Sequence, residues 1–429
     1  MNIFLTIPQG QCIRDFLILG IVDHLLELLP DCQIVILTPA YKVHSFLDMC
    51  SRSRVRVRRM ETPTSPGRNA RLYAIRRRLH SRAAIRLLLA LETRRFQPPG
   101  YLLETFHEFQ PGLVVSTHPM PTHDYDVIMT ARKLGTQTLG VVKSWDNLGK
   151  GLTSRPHLLS VWNAVNRDEA ISLQGYATSE ITINGAPSFD PYFDACWMKP
   201  REDFLRSLGL DPSRPVITYA TSGVYDMQYY GRDETFLADD LLRMFSETIE
   251  LRDAQLIIRL HPGSQLQYFW RFRERENVVF SFASYMPTIG WYTSREDILH
   301  QTNLLKHSDV IVTPGSSWAI EAAIFDTPTV VPVYSDIQPA HAQAQFDDYT
   351  LAKHFRPLAE NNWVPICRSY DQTRGEIVDA LTKRDKYAAG RKAIVDNYVC
   401  YQDAKSCQRV AEWIARIVQA ANSGEVQGV

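Results

Sequence analysis

Short apolar runs alternate with stretches of helical periodicity along the whole chain. The runs are rich in Val, Ile and Leu and end at polar, Gly or Pro residues, which is typical of buried strands. The predicted strands are Ile3–Ile7, Gln33–Thr38, Leu113–Thr117, Thr138–Val142, Ile181–Asn184, Val216–Thr221, Leu256–Leu260, Val278–Phe282, Val310–Thr313 and Thr329–Tyr334. The predicted helices are Cys12–Leu29, Asp124–Leu134, Glu234–Leu251, Ser294–His307 and Trp318–Phe325. Strands that alternate with helices predict parallel sheets with crossover connections.

The strand–helix pattern restarts after a turn-rich segment, which predicts a hinge at residues 185–193. We therefore predict an α/β fold with two Rossmann-like, doubly wound domains that face a central cleft, at residues 1–184 and 194–385. The helices predicted within residues 386–429 could cross back to the first domain. Ligands bind outside the carboxyl ends of the strands in such sheets, so we expect the functional residues there.

The composition narrows the classes of function. Hydrophobic residues make up 45% and charged residues 22% of the 429 residues, which fits a packed protein of two domains. Lys and Arg together number 47, as do Asp and Glu, so no global field favours a nucleic acid partner. We expect no signal peptide, since the first ten residues have no charged n-region, and no membrane span, since no apolar stretch approaches roughly 20 residues. The seven Cys residues lack a CxxC pair, which argues against disulfides and zinc and favours a cytoplasmic location.

The most informative motif is a buried strand that runs through a turn of small residues into a helix. Gly315 allows the backbone to approach a phosphate group, and Ser316 and Ser317 add hydroxyl donors at the start of the helix. Glu321 lies one turn later, where its carboxylate could accept hydrogen bonds from ribose hydroxyls. The alternative is an ordinary helix N-cap in which Glu321 has a capping role.

A second motif is the sequence Arg259-Leu260-His261-Pro262-Gly263 at the end of a predicted strand. The planar guanidinium of Arg259 suits the oxygens of a diphosphate, and His261 could donate to a phosphate or protonate a leaving group. Gly263 belongs to the same candidate site. The alternative is a strand-end pair that forms salt bridges with neighbouring residues.

The third motif follows the strand Thr138–Val142 and runs from Lys143 through Trp145, Asp146 and Asn147. A carboxylate at this edge of the sheet is placed to act as a general base towards an acceptor hydroxyl, and Lys143 could hold an anionic group. Asp146 or Asn147 could instead close an Asx-turn. His118, at the end of the preceding strand, is a second candidate for the base, unless it is a strand-end His with a structural role.

The loop after the first strand contains Gly10, Arg14 and Asp15. The loop resembles a glycine loop that enters a helix, but it lacks GxGxxG and therefore implies no dinucleotide cofactor. Arg14 and Asp15 could form a structural pair or line the cleft.

A basic region lies between Arg52 and Arg95, beside an apolar helical stripe. The residues that could contact an anionic membrane surface or an anionic acceptor are Arg76, Arg77, Arg78, Arg82 and Arg86. The alternative is the solvated face of a helix packed on a core.

Taken together, these segments resemble the GT-B glycosyltransferase architecture, and more narrowly the bacterial surface-polysaccharide transferases and the teichoic-acid glycerophosphate polymerases. The resemblance spans nearly the whole chain. In the polymerases the loop that matches Trp145-Asp146 carries Trp-His-Gly, whose His is thought to be the base. Asp146 stands at the matching position here, which favours a carboxylate base and sugar transfer over glycerophosphate transfer.

The resemblance implies a glycosyltransferase that needs neither a metal nor a separate cofactor. We expect it to move a sugar from a nucleotide-sugar donor, held by the C-terminal domain, to a hydroxyl of a cell-surface glycan or lipid-linked acceptor on the N-terminal side. Such an enzyme would be cytoplasmic, with a peripheral position on the inner face of the membrane. The alternatives are a nucleotide-sugar 2-epimerase, a glycerophosphotransferase and a non-catalytic nucleotide-sugar binding protein.

Overall fold

The computed structural model describes residues 1–61, 75, 79, 81–119, 124–152, 154–221, 234–261, 266–335 and 355–423. Its strands are β1 Asn2–Thr6, β2 Gln33–Thr38, β3 Val55–Arg59, β4 Pro111–Ser116, β5 Gln137–Val141, β6 Leu158–Val161, β7 Ile181–Ile183, β8 Val216–Ala220, β9 Gln255–Arg259, β10 Val278–Ser281, β11 Ser284–Met286, β12 Gly290–Tyr292, β13 Val310–Val312, β14 Thr329–Pro332 and β15 Ile366–Cys367.

The α-helices of the described residues alternate with these strands. They are Gln11–Ile13, Ile21–Leu28, His44–Met49, Arg82–Arg95, Gly100–Phe109, Tyr125–Lys133, Asn147–Lys150, Ala164–Gln174, Arg201–Ser207, Thr235–Glu247, Leu266–Phe269, Arg295–His307, Trp318–Ile324, Arg356–Glu360, Tyr370–Thr382, Ala388–Tyr398 and Ser406–Ser423. Residues Arg14–Ile18 form a π-helix, and Pro187–Phe193 form a 3₁₀-helix. Across the described ranges, no helix is both long enough and apolar enough to span a membrane.

The chain folds into two compact units. Unit 1 contains Met1–Asp190, Tyr285–Ser294 and Tyr398–Val429, and unit 2 contains Pro191–Ser284 and Arg295–Asn397. The segment Tyr285–Ser294 therefore belongs with unit 1 although its neighbours in sequence on both sides belong with unit 2. The sequence pattern does not predict that this segment belongs with unit 1, because no turn-rich segment marks a change of unit at either of its ends.

Unit 1 is built on a parallel sheet of seven strands in the order β3-β2-β1-β4-β5-β6-β7. Alternate residues of β1 face opposite sides: Ile3 and Leu5 pack in a core with helices Ile21–Leu28 and Ser406–Ser423, whereas Phe4 packs against helix Gly100–Phe109. This alternation buries both faces of the sheet, as expected for a doubly wound α/β unit. The strand order is that of a Rossmann sheet, with the switch point between β1 and β4.

Unit 2 repeats this topology with a parallel sheet of six strands in the order β10-β9-β8-β13-β14-β15. On β9, Leu256 and Ile258 face one core and Ile257 faces the other. The strand order again reverses in the middle, so the switch point lies between β8 and β13. Two sheets with Rossmann-like order confirm the predicted fold class.

The predicted strands are confirmed with boundary shifts of a residue or two, but some elements differ. The predicted helix Cys12–Leu29 is interrupted by the π-helix and then by Gly20, whose φ of 90° lies in the left-handed region. Strand β3 was not predicted, because its sequence Val-Arg-Val-Arg-Arg reads as part of the basic region. The structure places it at the edge of the sheet, where charged side chains hinder edge-to-edge pairing with another molecule.

Candidate functional site

The switch point of unit 2 contains the predicted strand–turn–helix motif. Strand β13 ends at Val312, and the chain turns through Gly315, whose φ of 92° favours glycine. The Ser316 hydroxyl accepts a hydrogen bond from the Trp318 backbone N–H at 3.2 Å, which fixes the entry into helix Trp318–Ile324. The motif therefore lies at the edge of the sheet where ligands bind in this topology.

Glu321 is buried and its carboxylate accepts three hydrogen bonds within unit 2. The donors are the Tyr192 hydroxyl at 2.5 Å, the Gln301 amide at 2.7 Å and the Ser317 hydroxyl at 2.7 Å. Oε2 accepts two of these bonds and Oε1 accepts one. A carboxylate has about four acceptor positions, so Oε1 retains capacity for one more donor beside Ser317.

Arg259 ends strand β9 and is buried. Its Nη1 donates to the Ser281 hydroxyl at 2.9 Å and to the Phe282 carbonyl at 2.6 Å, which fastens the guanidinium to the neighbouring strand β10. Burial lowers the pKa of Arg259, whereas the carboxylate of Asp297 and, more weakly, Tyr192 and Glu321 act in the opposite direction. The side chain therefore has neutral hydrogen-bond acceptors and acidic groups in its surroundings.

His261 follows Arg259 by two residues, and its backbone N–H donates to the Thr221 hydroxyl at 2.8 Å. Burial, together with the nearby Arg259 charge, lowers the pKa of His261 to about 4. The imidazole is therefore neutral at pH 7 and adds no positive charge for a diphosphate. Gly263, the remaining predicted residue of this motif, lies outside the described residues.

A groove of about 540 Å³, which the sequence motifs do not indicate, borders Ser281 and Phe282, the two hydrogen-bond partners of Arg259. It is lined by Lys199, Phe204, Ser207, Phe280, Ser281, Phe282, Arg295, Glu296, Asp297, Leu299 and His300. His300 Nε2 lies 2.7 Å from the Ser281 hydroxyl that also accepts from Arg259. The sequence signal that could have indicated this face is the helical spacing of Asp297, His300 and Gln301 in an otherwise unremarkable helix.

The switch point of unit 1 contains a buried carboxylate that lies outside the motifs identified in the sequence. Asp124 Oδ2 accepts from the hydroxyls of Thr6, at the end of β1, and Ser116, at the end of β4, both at 2.6 Å. Burial raises the pKa of Asp124 to about 6, although these hydroxyls and the backbone of His118 act to lower it. His118 itself is buried directly after β4. The available signal was an Asp at the start of a helix that follows a strand.

The loop after β5 is closed by Asn147. Its Oδ1 accepts from the backbone N–H groups of Lys143 at 3.2 Å and Ser144 at 3.0 Å. Asp146 precedes the short helix Asn147–Lys150 and forms an ion pair with Lys150. The side chain of Asn147 also donates to Asp146 Oδ1 at 3.3 Å. The turn-closing role therefore belongs to Asn147, whereas Asp146 is oriented by a cation and an amide.

The other residues of the unit 1 motifs have partners of different kinds. The buried ring of Trp145 packs edge-on against Tyr398, with centroids 5.6 Å apart. Arg14 Nε donates to Asp15 Oδ1 at 2.7 Å, so these two residues form the structural pair considered above. Lys143 is buried and its ammonium group contacts the side-chain oxygen of Gln11.

Gly10 begins the loop after β1, and its N–H donates to the Ile289 carbonyl at 2.9 Å. A Cβ at this position would lie 2.3 Å from the Trp291 carbonyl oxygen. The close approach of Tyr285–Ser294 therefore requires glycine here. Across the described residues, no group of three or more His, Cys, Asp or Glu side chains is arranged to hold a metal ion.

Residues 120–416 match the protein family described as CDP-glycerol:poly(glycerophosphate) glycerophosphotransferase. The chain belongs to this glycerophosphotransferase family. The matched range includes the Asp146 loop and, in unit 2, Arg259, His261 and the Gly315–Glu321 motif. Membership of this family makes the protein a transferase. A search of curated proteins gives no match.

Solved structures resemble this member of the glycerophosphotransferase family in fold. The wall teichoic acid polymerase TagF is 13% identical, with a TM-score of 0.56, and the match covers 100% of this chain and 90% of TagF. The UDP-GlcNAc 2-epimerase from Neisseria meningitidis is 11% identical, with a TM-score of 0.55 and coverage of 97% and 100%. A glycosyltransferase from Rickettsia africae ESF-5 is 11% identical, with a TM-score of 0.53 and coverage of 97% and 98%. At these identities the matches establish a shared GT-B-type fold.

Proposed function

We propose that the protein transfers a sugar from a nucleotide-diphosphate donor to a hydroxyl of a cell-surface glycan or lipid-linked acceptor. The observation that carries this proposal is the carboxylate of Asp146 at the carboxyl edge of the unit 1 sheet, at the position where the resembling polymerases have a His. The carboxylate forms an ion pair with Lys150, and the ionised form of a carboxylate is the form that accepts a proton.

In the proposed reaction, Asp146 takes the proton of the acceptor hydroxyl. The hydroxyl oxygen forms a bond to the anomeric carbon of the sugar, and the bond from that carbon to the diphosphate oxygen breaks. The nucleoside diphosphate leaves with the electron pair. Positioning of the two substrates and stabilisation of the departing diphosphate supply most of the rate enhancement in a reaction of this kind.

The donor contacts are assigned to the carboxyl edge of unit 2. The Gly315 turn with the Ser316 hydroxyl would hold phosphate oxygens. The Ser317 hydroxyl donates to Oε1 of Glu321, and the same Oε1 would accept from a ribose hydroxyl. Arg259 would contribute a positive charge. Burial lowers its pKa, but a guanidinium group remains protonated at neutral pH. His261 would act as a neutral hydrogen-bond partner. None of these assigned contacts uses a metal ion.

A second candidate is transfer of glycerophosphate from CDP-glycerol, which the family match favours. In that reaction the acceptor oxygen attacks the phosphorus that carries glycerol, and CMP departs. The two candidates therefore differ in the nucleotide that is released. Sugar transfer yields a nucleoside diphosphate, whereas glycerophosphate transfer yields a nucleoside monophosphate.

The experiment begins with a thermal-shift screen over UDP, CDP, GDP, dTDP and CMP, because a ligand of the native state raises its melting temperature. Donors of the selected base are then incubated with a hydroxyl acceptor, and the nucleotides are separated. Release of diphosphate that depends on acceptor supports sugar transfer, and release of CMP from CDP-glycerol supports the second candidate. Conversion of a nucleotide sugar without acceptor would indicate an epimerase, and binding without any turnover would indicate a non-catalytic binding protein.

A further inference from the structure

The ribbon formed by β11 and β12 contributes to the carboxyl edge of unit 1. Met286 and Ile289 of this segment are buried in the same core as Ile13 and Phe16. The Ile289 carbonyl accepts from the Gly10 backbone N–H at 2.9 Å. The segment is therefore anchored by apolar contacts and by a backbone hydrogen bond, and it places the backbone of Trp291 beside Gly10 in the loop that follows β1.

Lys143 faces this segment from the loop after β5. Its ammonium group lies 5.9 Å from the centre of the Trp291 ring and contacts the side-chain oxygen of Gln11. Both partners are neutral. Only 9% of the residue is exposed, so the ammonium group has lost most of its hydration. A buried cation is stabilised far better by an anion than by neutral groups.

Besides burial, the described groups whose charges act on the Lys143 ammonium are Cys12, Arg14 and Asp15. The Asp15 carboxylate is paired with Arg14 Nε at 2.7 Å, so its charge is already compensated. The Cys12 thiol is fully buried, and burial raises its pKa, which keeps it neutral at pH 7. Burial lowers the pKa of Lys143 to about 8, and the Arg14 charge acts in the same direction, whereas Cys12 and Asp15 act to raise it.

We propose that Lys143, Gln11 and Trp291 form a binding site for a phosphate group of the acceptor. The inference rests on the proposed function in one respect, since it takes unit 1 to be the acceptor side. An ammonium group binds phosphate as a point charge. The side-chain amide of Gln11 also carries an NH₂ group, which can donate a second hydrogen bond to the phosphate. The face of Trp291 can pack against the polyol or sugar that carries the phosphate.

The test measures binding of inorganic phosphate and of glycerol 3-phosphate to the full chain by calorimetry. The nucleotide selected by the thermal-shift screen is present at saturation, so that the donor site is filled. We expect both ligands to bind the wild type, with glycerol 3-phosphate the tighter. Lys143→Met should weaken binding at least tenfold. Lys150→Met removes one positive charge from the same loop, where Lys150 pairs with Asp146, and should change binding less than twofold.

A second measurement needs no substitution. The pKa of Lys143 is followed by NMR of the lysine Cε in wild-type protein, with and without phosphate. A bound anion favours the charged ammonium, so the midpoint should rise above its value of about 8 when phosphate saturates. Trp291→Leu should weaken the binding of glycerol 3-phosphate more than the binding of inorganic phosphate. The substitution removes the surface that packs against the glycerol and leaves the Lys143 ammonium group in place.

The proposal is overturned if the wild type binds neither ligand, if Lys143→Met binds them as tightly as the wild type, or if phosphate leaves the Lys143 midpoint unchanged. These outcomes can be told apart from failure of the proposed function, because none of them depends on turnover and the same titrations can be made without a nucleotide. A protein that transfers a sugar but fails these binding tests lacks the phosphate site. If the binding tests succeed but no nucleotide turnover is found, the phosphate site is supported and the proposed reaction is rejected.

Discussion

The carboxylate of Asp146 forms an ion pair with Lys150, one turn later along the short helix Asn147–Lys150. The same carboxylate accepts a hydrogen bond from the amide of Asn147, whose oxygen closes the loop. The loop geometry is thus maintained by Asn147, and Asp146 can be changed without removing the bonds that shape the turn. This separation makes Asp146 suitable for a direct test of the base.

We predict that Asp146→Asn lowers turnover by about a hundredfold or more, the lower end of what a general base contributes, and leaves donor affinity unchanged. The measurement is the initial rate with a saturating nucleotide donor, alongside calorimetry of the nucleotide. Lys150→Gln is the matched control, since it breaks the same ion pair but keeps the carboxylate. An equal loss of turnover in the two variants would assign Asp146 a purely structural role. Near-normal turnover of Asp146→Asn would make His118 the candidate for the base.

Arg259→Ala should weaken nucleotide binding by about 1.5–3 kcal/mol, the range for a hydrogen bond to a charged group. Ser281→Ala serves as the control, because it removes one acceptor of the Arg259 guanidinium and keeps the charge. We expect calorimetry to show a much smaller effect for this second variant. If both substitutions leave the affinity unchanged, Arg259 has only the structural role of joining β9 to β10.

Glu321→Gln should reduce the preference for a ribose over a 2′,3′-dideoxyribose nucleotide by about tenfold, because a charged acceptor is replaced by a neutral one. The remaining lone pair of Oε1 is the proposed acceptor for the ribose. The same ratio measured for Tyr192→Phe provides the comparison, since that variant removes one donor to Oε2 and leaves Oε1 intact. An unchanged ratio in Glu321→Gln would show that the carboxylate serves the fold alone.

The buried Asp124 should make stability depend on pH. Its pKa is raised from 3.8 to about 6 in the folded protein, so the folded state binds the proton more tightly than the unfolded state. Stability should therefore fall as the pH rises from about 4 to 6, by up to about 3 kcal/mol. Asp124→Asn should flatten this dependence in urea unfolding at pH 4.5 and 7. A wild type that is equally stable at both values would contradict the expectation.

The basic region is predicted to bind anionic membranes through Arg76, Arg77 and Arg78, which lie outside the described residues. Arg86 pairs with Glu180 at 2.6 Å and Arg82 lies 3.8 Å from the same carboxylate, so their charges are partly compensated. Changing the first three residues to Gln should reduce flotation with anionic vesicles at low salt, since each basic residue contributes about 1 kcal/mol. Binding should weaken towards physiological salt, because the Debye length is then about 8 Å and charges farther apart than this are largely screened.

Arg82→Gln together with Arg86→Gln is the control for this prediction, and we expect it to affect flotation less. Wild-type protein that stays at the bottom of the gradient with anionic lipid at low salt would exclude membrane docking by this region. A higher KM of the triple variant for an anionic acceptor, without any vesicle binding, would instead assign the region to the acceptor.

The sequence by itself determined the fold class and the positions of the main motifs. Apolar runs such as Val310–Val312 report burial on both faces, and the turn residues around Gly315 mark where a strand passes into a helix. These signals are local, because they depend on periodicity and on the conformational preferences of single residues. The motifs around Arg259 and Asp146 could be placed at strand ends for the same reason.

Only the tertiary structure decided which groups meet. Asp124 gains its raised pKa from burial beside Thr6 and Ser116, which are brought together by the pairing of β1 with β4. Lys143 meets Trp291 because Tyr285–Ser294 belongs with unit 1, although its neighbours in sequence belong with unit 2. Burial and electrostatic environment depend on contacts between residues that are distant along the chain, and no local pattern in the sequence encodes those distances.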